Sequence, residues 1–192
     1  RSRPEAVRLV PAPVLSSESG KLSLSMEPVA LAEVLRDCEA MVEPEAQKHG
    51  ISVAFAPFEA GCSVDADPTR VKQVIINLLS NAIKYNKPGG AVCVTCAPSP
   101  PGSMRISVRD TGEGLTPGQL AQLFQPFNRL GQKVPGEEGT GIGLVVCKRL
   151  VDAMNGRIGV DSTVGQGSVF WVELKLTTEA QAASYAAEPT GL

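Results

Sequence analysis

Three stretches of the 192-residue chain hold side chains that helix and strand packing alone does not call for. The first is NLLSNAIKY, Asn77 to Tyr85. Gln73, Asn77, Asn81 and Lys84 follow at intervals of four, four and three, which sets them on one line of a helix. Asparagine costs a helix about 0.5 kcal/mol against alanine, so two on one line ask for a reason. Their amides suit a hydrated cation, Lys84 suits an anion, and the Tyr85 ring stands beside them; a solvated polar face is the plainer alternative. The second stretch is SVRDTGEGL. Met104, Ile106 and Val108 alternate toward one face, and Asp110 keeps their parity, so a carboxylate points where the core points. Burying it unpaired is costly. A ligand donor, such as the exocyclic amine of adenine, would satisfy it, and Gly112 and Gly114 permit close backbone approach. The alternative is a strand-ending Asx turn.

The third stretch is EEGTGIGLVV, Glu137 to Val146, where Gly139, Gly141 and Gly143 run into an apolar helical pattern. A dinucleotide fingerprint needs a last glycine where Leu144 stands, and a preceding strand that GQKVPGEE does not provide. A P-loop needs Gly-Lys-Ser/Thr, but Lys148 sits between Cys147 and Arg149. What remains is a GxGxG loop opening a helix whose free N–H groups can face phosphates.

Elements that would position these residues are legible around them. Leu31, Val34, Leu35, Cys38, Met41 and Val42 recur helically, with Pro28 suited to the first turn, Gly50 to the end, and Pro44 to a kink or an early stop. ISVAF and CSVDA read as strands. A strong helix follows, with Asp67 as N-cap, Pro68 at N1, and Val71, Val74, Ile75, Leu78, Leu79 and Ala82 as its core stripe. Strands are predicted at 91–97 and 104–110, a loop over 111–138, and a helix over 141–154 stopped by Asn155-Gly156. RIGVDS and SVFWVELKL close the pattern as a hairpin about TVGQG, with Phe170, Val172, Leu174 and Leu176 on one face. Helices and strands mix without regular alternation, which predicts an α+β two-layer sandwich. Pro- and Ser-rich residues 1–20 read as a linker, 21–176 as the folded unit, and 177–192 as a tail or second linker.

Composition narrows the classes. The chain is 43% hydrophobic and 20% charged, with a net charge of −2 and no long basic run, so nucleic-acid binding has no electrostatic support. No apolar stretch approaches the ~20 residues of a membrane span. No signal peptide is visible, and a start at Arg1 suggests a fragment of something longer. Five cysteines, an odd number, argue against a disulfide framework. Cys93 and Cys96 form a CxxC on a predicted strand, where positions three apart face opposite ways; they read as ordinary core and surface residues.

Taken in order, NLLSNAIKY, DTGEG, LFQPFNRL and GTGIGL resemble the N, G1, F and G2 boxes of the histidine kinase ATP-binding domain. The resemblance covers nearly all of 21–176, including a closing hairpin in MNGRIGVDSTVGQGSVFWVEL, and is nearest to sensor and hybrid kinases with FNRLG and EGTGIGL.

It implies the Bergerat α/β sandwich, a mixed sheet on about three helices, with ATP and Mg2+ as cofactors. Asn81 would coordinate Mg2+, Asn77 would support the metal or phosphates, and Lys84 would reach a phosphate. Tyr85 would pack near adenine, Asp110 would accept from its amine, and Gly112, Gly114, Leu115 and Ser168 would complement that wall. Residues 115–138 would form a lid. Gly139, Thr140, Gly141, Ile142, Gly143 and Leu144 would line the triphosphate. Arg129 would touch the γ-phosphate during transfer. Phe124 and Phe127 would anchor the lid or dock on a partner dimerisation/phosphotransfer domain, with core packing as the alternative. A response regulator would follow indirectly, and the location would be cytoplasmic. ATPases of the superfamily carry a Glu where Asn77 stands, and an amide cannot be a general base; the resemblance therefore implies phosphoryl transfer over hydrolysis. A nucleotide-binding module without transfer, or an ATPase, are the alternatives. The chain departs from a complete kinase in its acceptor: His49, its only histidine, precedes Gly50 near a helix end, so the chain alone is not expected to autophosphorylate. Glu137 and Glu138 are expected to face solvent or Mg2+.

Overall fold

Asp67 starts the central helix α2 (Pro68–Lys84): its carboxylate accepts from the Arg70 N–H, and Pro68 occupies the first turn. Asp67 also accepts from the Ser25 N–H at 2.9 Å. Burial pushes this carboxyl up, but the N–H groups of Ser25, Arg70 and Thr69 outweigh it and hold it below the ordinary carboxylate range. The expected stripe of α2 is buried throughout, from Val71 to Ala82, and Ile83 joins it. Each fully buried Leu or Ile here contributes about 1.5–3 kcal/mol relative to an exposed one.

The computed structural model describes residues 23–57, 61–99, 101–125 and 142–178. Helix α1 (Leu31–His49) ends at Gly50, which takes the left-handed conformation at φ 65°. Pro28 lies outside it, in a short strand β1 (Glu27–Ala30), and Pro44 is accommodated inside the helix. Met41 does not join the core: it is 59% exposed, while Val42 is buried in its place. β1 pairs antiparallel with β3 (Ser63–Ala66) to make a two-stranded sheet beside the main one.

The main sheet runs β2-β4-β5-β7-β6, with β2 (Ser52–Phe55), β4 (Ala91–Ser99), β5 (Ser103–Asp110), β6 (Arg157–Thr163) and β7 (Gly167–Lys175). β2 and β4 are parallel and the other neighbours antiparallel, so the sheet is mixed. Helices α1, α2 and α4 (Gly143–Ala153) pack on it, and the core lies between the two layers. This is the α+β two-layer sandwich that the element order predicts. One element is new: α3 (Pro117–Gln122) rises within the segment read as loop, closed by a reciprocal Thr116–Gln119 capping box.

The other face of the sheet carries no helix among the described residues, yet two side chains of β7 are buried there. Trp171 and Glu173 are 7% and 4% exposed. The Arg105 guanidinium lies 4.1 Å over the Trp171 ring and donates to Glu173, which also accepts from Ser99 and pairs with Arg157. Trp171 Nε1 donates to Asp161 at 3.0 Å. Burial pushes Glu173 up, but these donors outweigh it and hold it below its ordinary range.

All five cysteines are free. Burial raises the Cys38 and Cys96 thiols to about 11 and Cys147 to about 12. Cys96 packs against the core while Cys93 takes the opposite parity, as the strand period requires. Residues 1–20 and most of the 177–192 tail lie outside the described residues.

Candidate functional site

Asn77 and Asn81 stand one turn apart on α2, both half-buried, and Asn81 Nδ2 donates to Asn77 Oδ1 at 3.2 Å. Among the described residues, that bond leaves Asn81 Oδ1, a hard oxygen, without a hydrogen-bond donor. The start of α4 closes on the pair. A Cβ built on Gly143 would stand 2.6 Å from Asn77 Nδ2, so only a residue with no side chain lets the two elements approach this far. Among the described residues, helix α4 has no side-chain cap at Ile142 for its first N–H groups. Ile142 itself is 37% exposed. Leu144 packs partly against the core.

At the end of α2, Lys84 Nζ lies 5.7 Å from the Tyr85 ring centroid, and Tyr85 is 41% exposed. Asn86, which the sequence pattern did not single out, ties this corner to the sheet. It donates to Ala91 O at 3.1 Å and accepts from Thr111 Oγ1 at 3.1 Å, and Thr111 Oγ1 accepts from Ala91 N–H at 2.9 Å. The end of β5 is thereby held against the end of α2. Gln73 is exposed and accepts from Arg70 Nη1 at 3.0 Å.

Asp110 ends β5 and is 8% exposed, with the core parity expected of it. Its Oδ1 accepts from Gly112 N–H at 2.8 Å and Ser168 N–H at 3.2 Å. Burial raises this carboxyl above its ordinary value, and the two N–H groups only partly offset that. The glycines around it are steric necessities. A Cβ on Gly112 would stand 2.8 Å from Tyr85 O. Gly167, at φ 98°, packs its α-carbon against Asp110 O. Leu115 N–H donates to Ser162 Oγ at 2.8 Å, and Ser162 Oγ meets Ser168 Oγ at 2.9 Å. Ser162 is the second residue that sequence spacing missed, because its partner Leu115 is 47 positions away.

The structure therefore brings together Asn77, Asn81 and Gly143 in one group, and Asp110, Gly112, Leu115 and Ser168 in another, with the Tyr85 backbone between α2 and Gly112. Phe124 is half-buried and packs against the core. Phe127, Arg129, Glu137, Glu138, Gly139, Thr140 and Gly141 lie outside the described residues.

Residues 66–178 match the family described as histidine kinase-, DNA gyrase B- and HSP90-like ATPase. The chain belongs to this family. Among its relatives, Sensor protein GacS of Pseudomonas syringae pv. syringae is 38% identical over 164 residues, 83% of this chain and 18% of the relative. Adaptive-response sensory kinase SasA of Synechococcus elongatus is 47% identical over 105 residues, 55% of this chain and 27% of that protein. The chain thus spans well under a third of the length of these curated relatives. Among solved structures, full-length ShkA in complex with AMPPNP superposes with a TM-score of 0.72 at 33% identity, over 83% of this chain and 33% of that one. The catalytic domain of histidine kinase ThkA gives 0.69 at 28% identity, covering 81% of this chain and all (100%) of that one.

Proposed function

We propose that this chain is the ATP-binding catalytic part of a sensor histidine kinase, which holds Mg-ATP and donates its γ-phosphate to a histidine on a separate dimerisation domain. The observation that carries the reading is Asp110: a nearly buried carboxylate whose Oδ1 is satisfied by two backbone N–H groups, beside glycines that keep a wall clear. Oδ2 then accepts from the adenine amine. Support comes from the ShkA complex with AMPPNP and from a ThkA structure in complex with the response regulator TrrA.

The Asn77–Asn81 pair fits Mg2+ by donor chemistry, since amide oxygens are hard ligands and Mg2+ takes only one or two protein oxygens, filling the rest of its octahedral shell from water and substrate phosphates. The ion supplies charge neutralisation across the phosphates when bound. Asn81 presents Oδ1, Asn77 fixes the Asn81 amide, and Lys84 supplies a cation near the phosphates. The uncapped N–H groups at Ile142, Gly143 and Leu144 orient phosphate oxygens. Asn77 has no basic group to activate water, which favours transfer over hydrolysis. Arg129, Phe127, Gly139, Thr140 and Gly141 keep their roles in this proposal on sequence pattern alone. Phe124 would meet a partner helix with the part of its ring the core leaves open. Such a module works where Mg-ATP is abundant, in the cytoplasm.

Calorimetric titration with Mg-ATP tests binding: wild type binds and Asp110→Asn loses at least tenfold. Equal affinities would end the adenine assignment. Adding a dimerisation domain in trans tests transfer: labelled phosphate should move to that domain's histidine and leave His49 unlabelled. An acid-labile label on His49 would overturn the division of labour.

A further inference from the structure

Three partners meet at one hydroxyl in the β6–β7 hairpin. Leu115 N–H lies 2.8 Å from Ser162 Oγ, Ser168 Oγ lies 2.9 Å from it, and Gly167 O lies 3.1 Å from it. A hydroxyl has one proton and two lone pairs. A backbone N–H can only donate and a carbonyl can only accept. The Ser162 proton therefore goes to Gly167 O, since otherwise two oxygens face each other with no proton between them. Leu115 fills one lone pair of Ser162 Oγ. The other is filled by the proton of Ser168, the one partner left to supply it.

Ser168 Oγ is then an acceptor with no proton to offer a ligand. It is held next to Asp110, because the Ser168 N–H donates to Asp110 Oδ1. Both protein bonds to Asp110 among the described residues end on Oδ1. When ionised, the carboxylate offers only lone pairs at Oδ2. Toward a bound ring, this corner therefore shows acceptors from two residues and no hydroxyl donor. An exocyclic amino group carries two protons and can serve such a corner; a 6-oxopurine brings a carbonyl oxygen that can serve neither acceptor and a single N1–H that can serve one.

We propose that Ser162 is a positioning residue for base selectivity: by fixing the Ser168 hydroxyl as an acceptor, it favours a 6-aminopurine over a 6-oxopurine nucleotide. This rests on reading Asp110 as the base-binding side chain. Ser162 does not touch the base; it acts through Ser168.

The test titrates the 192-residue chain with Mg-ATP and with Mg-ITP (inosine triphosphate), which carries a carbonyl at position 6 and a proton on N1. Ser162→Ala frees the Ser168 proton to turn toward a 6-oxo group, so the ratio of ATP to ITP affinity falls about tenfold, the worth of one hydrogen bond. Ser162→Thr keeps the hydroxyl and keeps the ratio. A Ser162→Ala variant that weakens both nucleotides equally has only loosened the loop, and overturns the proposal. If Ser162→Ala gives no cooperative melt, Ser168→Ala carries the test, because it deletes the acceptor and leaves the Leu115 bond in place. Its ratio must also fall, and an unchanged ratio sinks the idea. Asp110→Asn separates the two levels. Wild-type ATP affinity in Asp110→Asn ends the base-site reading itself, whereas a loss there beside an unchanged ratio in Ser162→Ala ends only the role of Ser162.

Discussion

Gly143→Ala separates stability from ligand binding, because the two should respond in different ways. Gly143 opens α4 without a left-handed φ, so alanine is acceptable to the backbone there. At a position whose backbone accepts it, alanine in place of glycine stabilises by about 0.4–1 kcal/mol by restricting the unfolded chain. Against this, the new Cβ would stand 2.6 Å from Asn77 Nδ2 and 3.1 Å from its Oδ1. Ordinary contact is about 3.5–4 Å, so the Asn77 amide must withdraw by roughly 1 Å. That stretches the 3.2 Å bond from Asn81, whose net worth is about 1 kcal/mol. The two effects nearly cancel, and the melting temperature should shift by less than about 4 °C. The ligand has no such compensation. Displacing the Asn81 amide removes one charge-assisted contact worth about 1.5–3 kcal/mol, so Mg-ATP affinity should fall by roughly ten- to 150-fold. Adenosine, which has no phosphate, should bind as to wild type. Thermal melts and calorimetric titrations on the same preparation measure all three quantities. A drop of 10 °C or more would show that the α2–α4 contact is structural, and an unchanged Mg-ATP affinity would remove Asn77 from the metal site.

Other perturbations have equally definite outcomes. Gly167→Ala combines a φ of 98° with a Cβ driven into Asp110 O, which is backbone and cannot yield; the urea midpoint should fall by the equivalent of about 3 kcal/mol or more. Asp67→Ala removes the N-cap of α2 and should cost about 1 kcal/mol at neutral pH. Because the folded-state pKa of Asp67 is depressed, that contribution is present above the unfolded-state value and is lost as pH falls through the folded one. The gap between wild type and variant should therefore close in acid, and a gap that stays constant would contradict the cap. Glu173→Gln should behave alike for the same sign of shift, with a loss of about 1–2 kcal/mol at pH 7, discounted because Arg105 and Arg157 are well enough exposed to rehydrate.

What the sequence disclosed follows from how local each signal is. Helix α2 was legible because Asp67, Pro68 and the apolar stripe act within a few residues of one another. Asp110 was legible because strand parity alone aims it at the core. Pro28 was misread because a proline suits an edge strand as well as a first helical turn, and its pairing with Asp65 is remote. Met41 fits the helical period but sits at the margin of the stripe, where packing geometry decides. Helix α3 was missed although its Thr-Pro-x-Gln cap stands in the sequence, because no apolar period follows it. Asn86 and Ser162 escaped because their partners are distant in the chain, and neither a hydroxyl nor an amide advertises its direction.

The cluster around Glu173 on the outer face of the sheet constrains how this chain can change over generations. Arg105, Glu173, Trp171 and Arg157 depend on one another, so their substitutions are coupled rather than additive. Replacing either arginine alone leaves an under-paired buried carboxylate, and shrinking Trp171 alone removes the ring that Arg105 covers. Replacing the whole group with apolar side chains would restore packing, but three strands, β5, β7 and β6, would then expose an adhesive surface where the present one is wetted by charge. Drift on this face is therefore expected to proceed by paired changes, while single replacements persist only on the solvated loops around it.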